Sequence, residues 1–385
     1  MQDNFSTIIC IADVNITDLL DKTLADLALP EVFVQRAKQM FLIDKRGFLG
    51  LRPVTRHDES RALFFHFYVP SRFEHGVMRR IAEATDLRMG GRGCIFAQRG
   101  LIRRGAPLYF DEAKLEALCG SDDELQAEDY ACICCTVSRG EGEALAAAVL
   151  ELGLCVPIVF FGSGVGLRDK LGLLRITIPV EKEIIWFLVP RSDAELVEKT
   201  LIPRARFDVP GHGFLYKSFV HAPVVNLRVR QGKRVHAATM EQVIAAMDEV
   251  RGSSDWRRLG AKTDDLSGNS TETTGGMKGL FFIGEEEEVE IFRKTAMASG
   301  ARGATLNHLE MRSYRAAAQD QIKESRSKER SSKESHSREL CDIIIPSDIE
   351  RSILASLEET GLFAAGRSCI LKILPLGRPA SFRHV

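Results

Sequence analysis

Three related turns in the sequence combine glycine with an arginine or a histidine: GRGCIF at 91–96, GHGFLY at 211–216 and GRSCIL at 366–371. Glycine allows positive φ and close backbone approach, so such a turn can present several amide N–H groups to an anion. A nearby arginine adds charge-assisted hydrogen bonds of about 1.5–3 kcal/mol each when well placed. The chemistry that these residues predict is binding of a phosphate group.

An apolar strand that ends in proline precedes each turn. Pro70, Pro190 and Pro346 lie 21, 21 and 20 residues before the first glycine of their turns, and a helix-like segment fills each interval. Further upstream, each unit has a strand, an amphipathic helix and a second strand, as in FSTIICIAD, NITDLLDKTLADLAL and EVFVQRAKQMFLI. The repeated order therefore predicts three strand–helix–strand–strand–helix–strand units, an α+β plan of the ferredoxin-like type.

The units and their connections divide the chain into five parts. We predict a first unit, a short acidic linker, a second unit, a helix with a flexible linker and a third unit, at 1–110, 111–129, 130–236, 237–276 and 277–385. The third unit contains a Ser-, Lys-, Arg- and Glu-rich arm at 315–339 that cannot bury a core, so we expect it to be disordered in isolation.

Composition narrows the class of protein. The 385 residues are 45% hydrophobic and carry a formal net charge of −1, which gives no global basic field for nucleic acid. The nine cysteines have no framework spacing and are read as reduced thiols of a cytoplasmic protein. The N-terminus lacks signal-peptide features, and no apolar run is long enough to span a membrane.

The units resemble the PII signal-transduction proteins, which are homotrimers of ferredoxin-like subunits. The resemblance rests on the second unit: FFGSG at 160–164 resembles the end of the second PII strand, GHGFLY the phosphate-binding B-loop, and RVRQGK at 228–233 the arginine segment after the last strand. It implies that the three units form an intramolecular pseudo-trimer, which we expect to be a monomer. It also implies ATP or ADP as an effector at an inter-unit cleft, with no cofactor.

The resemblance implies candidate ligand-binding residues in all three units. In the second they are Gly162, Gly164, Gly211, His212, Gly213, Arg228 and Arg230; in the first Gly91, Arg92 and Gly93; in the third Gly366 and Arg367. Arg103 and Arg104 lie near the expected arginine positions of the first unit, but in a different pattern. The alternative is that the glycines only permit a tight helix-to-strand turn and that Arg228 and Arg230 lie on the solvent face of a strand end.

One departure from PII concerns the lysine that follows the second glycine of its B-loop. Cys94, Phe214 and Cys369 occupy those positions here. Arg92, Arg367 or Lys217 could replace the charge of the lysine, but not its geometry.

The segments between the second and third strands of each unit are candidate partner-binding arms. Arg52 and Arg168 lie in a shared GLR sequence of the first two arms, and Leu173 and Leu174 make the second arm apolar enough for an interface. The alternative for both arginines is a solvated side chain. By resemblance, the partner could be a membrane transporter or a metabolic enzyme.

Catalytic and metal sites are not indicated. The sequence has no Gly-x-Ser-x-Gly elbow, no His-Glu-x-x-His motif and no nucleophile with an associated base. Cys132 and Cys134 fall on one face of a predicted strand and Cys135 on the other, so the three are read as core residues and not as a thiolate metal site.

The sequence thus predicts a non-enzymatic regulatory protein that senses a phosphate-bearing ligand and acts on a partner through its arms. Two alternatives remain open. One is a metal- or small-anion-responsive protein of similar trimeric fold. The other is a scaffold or nucleic-acid tether with vestigial clefts, in which the arm at 315–339 does the binding.

Overall fold

The structure is a computed structural model that describes residues 5–45, 54–121, 128–166, 181–207, 213–226, 229–231, 276–314, 335–377 and 380–381. We call residues 1–110, 130–236 and 277–385 the first, second and third segments. No helix among the described residues is long and apolar enough to cross a membrane.

The first segment and the linker after it contain five strands and three helices. In chain order these are β1 (Phe5–Asp13), α1 (Thr17–Asp26), β2 (Val32–Lys45), β3 (Val54–Pro70), α2 (Glu74–Ala84), β4 (Gly93–Arg99), β5 (Leu101–Arg104) and α3 (Glu112–Cys119).

The second and third segments repeat most of this order. The second contains β6 (Tyr130–Ser138), α4 (Gly142–Glu151), β7 (Ile158–Gly166), β8 (Glu181–Pro190), α5 (Ala194–Ala205), β9 (Phe214–Val224) and β10 (Arg230–Gln231). The third contains β11 (Met277–Gly284), α6 (Glu286–Ala298), β12 (Gly303–Arg312), β13 (Ser335–Pro346), α7 (Glu350–Glu359), β14 (Ile370–Leu376) and β15 (Ala380–Ser381).

Local sequence explains where these elements begin and end. Pro70, Pro190 and Pro346 are the last residues of β3, β8 and β13, because proline cannot donate to a strand ladder. Helix α6 begins with a capping box, in which Glu285 accepts from the third helical amide and Glu288 accepts from the amide of Glu285 at 3.0 Å.

The fifteen strands form one sheet, in which β12 pairs with β7 and also with β2. Nine strands thereby close into an antiparallel barrel, in the order β2-β3-β1-β4-β9-β6-β8-β7-β12. The sheet continues from β12 through β13, β11 and β14 to β5.

The prediction of three ferredoxin-like repeats in a pseudo-trimer is therefore wrong. The barrel takes strands from all three segments, so the segments are not separate units of that type. The physical reason is that hydrophobic alternation determines which face of a strand is buried but not which strand lies beside its edge. The backbone N–H and C=O groups at a strand edge pair here with strands of other segments, as β4 does with β9 and β14 with β5.

Four apolar cores result from this arrangement. Three lie between the sheet and the helices of one segment each, and one fills the inward face of the strands of all three segments. Cys132 and Cys134 belong to the shared core and Cys135 to the second segment's own core, as strand alternation predicts. All nine cysteines are buried free thiols.

Candidate functional site

The second glycine of the first two turns is required by close backbone packing. At Gly93, φ is +139° and an added Cβ would lie 1.8 Å from the carbonyl oxygen of Ile11. At Gly213, φ is +112° and a Cβ would lie 1.8 Å from the carbonyl oxygen of Thr136. This contact supports the tight-turn alternative for these two glycines, because no other residue fits there.

The first glycine of the outer turns has a different environment. Gly91 and Gly366 have φ of +89° and +94°. A Cβ on Gly366 would meet nothing within 4 Å, so this turn is open on that side. The amide of Gly91 donates to Asn226 Oδ1 of the second segment over 3.5 Å, the outer limit of a hydrogen bond.

The candidate residues of the second segment do not contact one common partner. Gly162 and Gly164 lie in β7 opposite β12, where Asn307 Oδ1 and the Lys182 side chain occupy the space that a Cβ would take. Arg230, in contrast, pairs in parallel with Leu42 of β2. The remaining candidates of this segment and the arms lie outside the described residues; they are Gly211, His212, Arg228, Arg52, Arg168, Leu173 and Leu174.

Each glycine turn lies beside the chain that follows the last long strand of another segment. Gly91 faces Asn226, Phe214 pairs with Ser381 of β15, and Ile370 pairs with Arg104 of β5. The three contacts run in a cycle through the three segments. A ligand at any of these turns would therefore contact two segments.

The third turn lies beside several arginines, each paired with a carboxylate. Four arginines lie in or next to this turn: Arg367 within it, Arg338 bonded to Ser368, and Arg103 and Arg104 on β5, opposite Leu371 and Ile370. We call these residues and Gly366 the arginine junction. Only Gly366 and Arg367 were candidates at this turn on sequence grounds.

Strand pairing and one hydrogen bond fix the positions of these arginines relative to the turn. Arg104 and Arg103 pair with Ile370 and Leu371 across the β5–β14 ladder. Arg338 donates from Nη2 to Ser368 Oγ at 3.4 Å. Gly105, directly after β5, runs so close to the turn that an added Cβ would lie 2.9 Å from the carbonyl oxygen of Arg367.

Each arginine of the junction is held by a carboxylate. Arg103 Nη1 lies 2.6 Å from Glu358, Arg104 Nη1 3.1 Å from Glu31, Arg338 Nη1 3.2 Å from Glu285, and Arg367 Nη1 3.5 Å from Glu288. The Arg104 pair is the most enclosed, with the arginine side chain 8% exposed, and Arg104 also donates to the carbonyl oxygen of Ala106 at 2.9 Å. The Arg103 and Arg367 side chains are 33% and 47% exposed and lie within reach of a ligand.

Burial raises the pKa of two groups beside the junction. Burial raises the pKa of the Cys369 thiol to about 11, with Glu288 adding to the rise and Arg104 and Arg367 opposing it. Burial likewise raises the pKa of Tyr68, whose hydroxyl has no hydrogen-bond partner in the structure. A thiol this protonated is a poor nucleophile, so Cys369 gives the site no covalent chemistry.

Sequence reasoning missed Arg338 and the four carboxylates. Arg338 lies near the end of the arm assigned to 315–339, where an arginine is read as solvated. No spacing pattern connects it to Arg103, because the two are brought together by pairing between distant strands. The signal that could have been used was the Leu-Ile-Arg-Arg-Gly sequence after β4, where Arg103 and Arg104 were noted but not assigned.

Two other buried polar clusters lie away from the glycine turns. Glu74, at the start of α2, accepts from Arg99 Nε at 2.9 Å and contacts His221 Nδ1 of the second segment at 3.2 Å. In the shared core, Lys372, Gln98 and Ser218 form a hydrogen-bonded chain through all three segments. Within the described parts of the chain, no three His, Cys, Asp or Glu side chains converge as a metal site.

Comparison with known proteins gives little further guidance. No family model matches the chain, and no curated protein matches it. Among solved structures, the chain is similar to aspartate kinase from Synechocystis, with 10% identity and a TM-score of 0.18. The alignment covers 95% of this chain and 56% of the kinase chain. The chain thus spans about half the length of that kinase, and a likeness at this TM-score supports no conclusion about fold or activity.

Proposed function

We propose that the protein is a non-enzymatic regulator that binds a small phosphate-bearing ligand at the arginine junction. The observation that carries the proposal is a glycine turn with positive φ that contains Arg367, is bonded by Arg338 at Ser368, and runs into a strand paired with Arg103 of the first segment. Arginine forks match the geometry of phosphate oxygens, and glycine at positive φ lets the backbone approach an anion closely.

Arg104 has a supporting role in this proposal. Its guanidinium is enclosed with Glu31 and a backbone carbonyl, so it positions β5 instead of contacting the ligand. The sequence resemblance to PII proteins makes adenine nucleotides the first ligands to test. The partner that responds to the ligand is proposed from that resemblance alone, and the arms that would contact it lie outside the described residues.

Calorimetric titration tests the proposal with ATP, ADP, AMP and inorganic phosphate, each with and without magnesium. We expect saturable binding to the unmodified protein and a loss of at least tenfold in affinity for Arg103→Ala combined with Arg367→Ala, since each charge-assisted hydrogen bond contributes about 1.5–3 kcal/mol. Arg351→Ala, at an exposed arginine on α7, controls for the loss of one of these two positive charges.

A second double variant distinguishes binding at the arginine junction from binding at the turn that contains Gly91. Arg228→Ala with Arg230→Ala removes the arginines of the second segment and leaves the arginine junction unchanged. If only that pair abolishes binding, the ligand binds beside Gly91 and the assignment to the arginine junction is wrong. The absence of binding by every nucleotide and by phosphate at millimolar concentration would reject the proposed function.

A further inference from the structure

The four carboxylates of the arginine junction differ in what else they do. Glu285 and Glu288 form the capping box of α6, and Glu288 is only 8% exposed. Glu31 is enclosed with Arg104. These three therefore have structural roles that keep them in place.

Glu358 has no such role in the structure. It lies in the last turn of α7, where the helix dipole disfavours a negative charge, and its side chain is 63% exposed. Its recorded contact is the 2.6 Å bond from Arg103 Nη1, which connects the first segment to the third. Its carboxylate thus accepts a charge-assisted hydrogen bond from Arg103 Nη1, as a phosphate oxygen would.

We infer that Glu358 is a built-in competitor for the phosphate-bearing ligand, so that ligand binding and the Arg103–Glu358 bond exclude each other. This inference rests on the proposed function. It gives that site a regulatory property: in the unliganded protein an ion pair connects β5 with the end of α7. The ligand breaks that pair and takes over Arg103.

The test compares Glu358→Gln with Glu359→Gln by ATP titration of the full chain. Both variants remove one exposed carboxylate from the same helical turn, but the structure records a bond to Arg103 only for Glu358. We expect Glu358→Gln to bind ATP about two- to fivefold more tightly than the unmodified protein, because an exposed ion pair contributes about 0.2–1 kcal/mol. Glu359→Gln should change the affinity much less.

The outcomes separate the two proposals. If the unmodified protein binds ATP and both variants bind it with equal affinity, the competitor role of Glu358 is overturned and the proposed function stands. If Arg103→Ala binds ATP as tightly as the unmodified protein, the competition is also overturned, because the shared arginine is then not part of the site. If none of the proteins binds ATP or phosphate, both proposals fail together.

Discussion

Lys372 Nζ of the third segment lies 2.8 Å from Gln98 Oε1 of the first, and both side chains are buried. Gln98 Nε2 in turn donates to Ser218 Oγ of the second segment at 3.3 Å. Burial lowers the pKa of Lys372 to about 8, while Asp342 and Cys132 oppose the shift. One hydrogen-bonded chain thus joins buried side chains of all three segments.

Replacement of Lys372 with methionine should destabilise the fold. Methionine keeps most of the volume but leaves Gln98 Oε1 without its donor and Asp342 without a nearby cation, so we expect a loss of about 1–3 kcal/mol at pH 8. Urea denaturation measures this loss. In the double variant with Asp342→Asn the total should be smaller than the sum of the single effects, and strict additivity would show that the two groups are not coupled.

Asp342 should make folding stability fall as pH rises through neutrality. Burial raises the pKa of Asp342 from 3.8 to about 7 in the folded protein, with Lys372 opposing the rise. Because the folded pKa lies above the unfolded value, this contribution is complete below about pH 4 and is lost as pH rises through 7. Urea midpoints between pH 5 and 8 should decline less for Asp342→Asn than for the unmodified protein; parallel declines would contradict the assignment.

Glu74 should have the opposite pH dependence. Burial acts to raise its pKa, but hydrogen bonds from His221, Arg99 and Ser6 outweigh burial and hold the pKa at about 2. Since the folded pKa lies below the unfolded value, this contribution is present above about pH 4.5 and is lost as pH falls towards 2. Glu74→Gln should therefore cost about 3 kcal/mol at pH 7 and flatten the acid limb of the stability curve.

The control for Glu74 is an exposed ion pair made by Arg72, two residues before it. Glu112 bonds to Arg72, but both side chains are about half exposed. Glu112→Gln should cost no more than about 1 kcal/mol. Equal losses for the two variants in thermal or urea unfolding would show that burial of Glu74 adds nothing to its contribution.

Alanine at the turn glycines should separate the cost of a steric clash from the cost of positive φ alone. Gly213→Ala puts a Cβ 1.8 Å from a backbone oxygen, so we expect a loss of more than about 3 kcal/mol or failure to fold. Gly366→Ala meets no atom within 4 Å and is left with the cost of positive φ, about 1 kcal/mol. Gly366→Ala should fold, and thermal unfolding of the two variants checks the ranking; a larger loss at Gly366 would contradict it.

Local sequence predicted much of the secondary structure but not the way in which it assembles. Pro70, Pro190 and Pro346 fixed the ends of three strands, because proline acts on its own residue and its neighbours. The pairings of β12 with β2 and of β14 with β5 depend on edges that meet only in the folded chain. The arginine junction could not be found for the same reason, since Arg338 reaches the turn from β13 and Arg103 from β5.

The double pairing of β12 has a consequence for biosynthesis. β2 leaves the ribosome early, but its partner β12 is made only after most of the chain, a delay on the order of ten seconds or more at roughly 5–20 residues per second. During that interval the barrel stays open along β2 and β7, except where those two strands pair directly. A nascent chain with exposed strand edges is a substrate for chaperones and for edge-to-edge aggregation. Arrest of translation before residue 303 should therefore leave a species that binds chaperones, whereas the completed chain hides both edges.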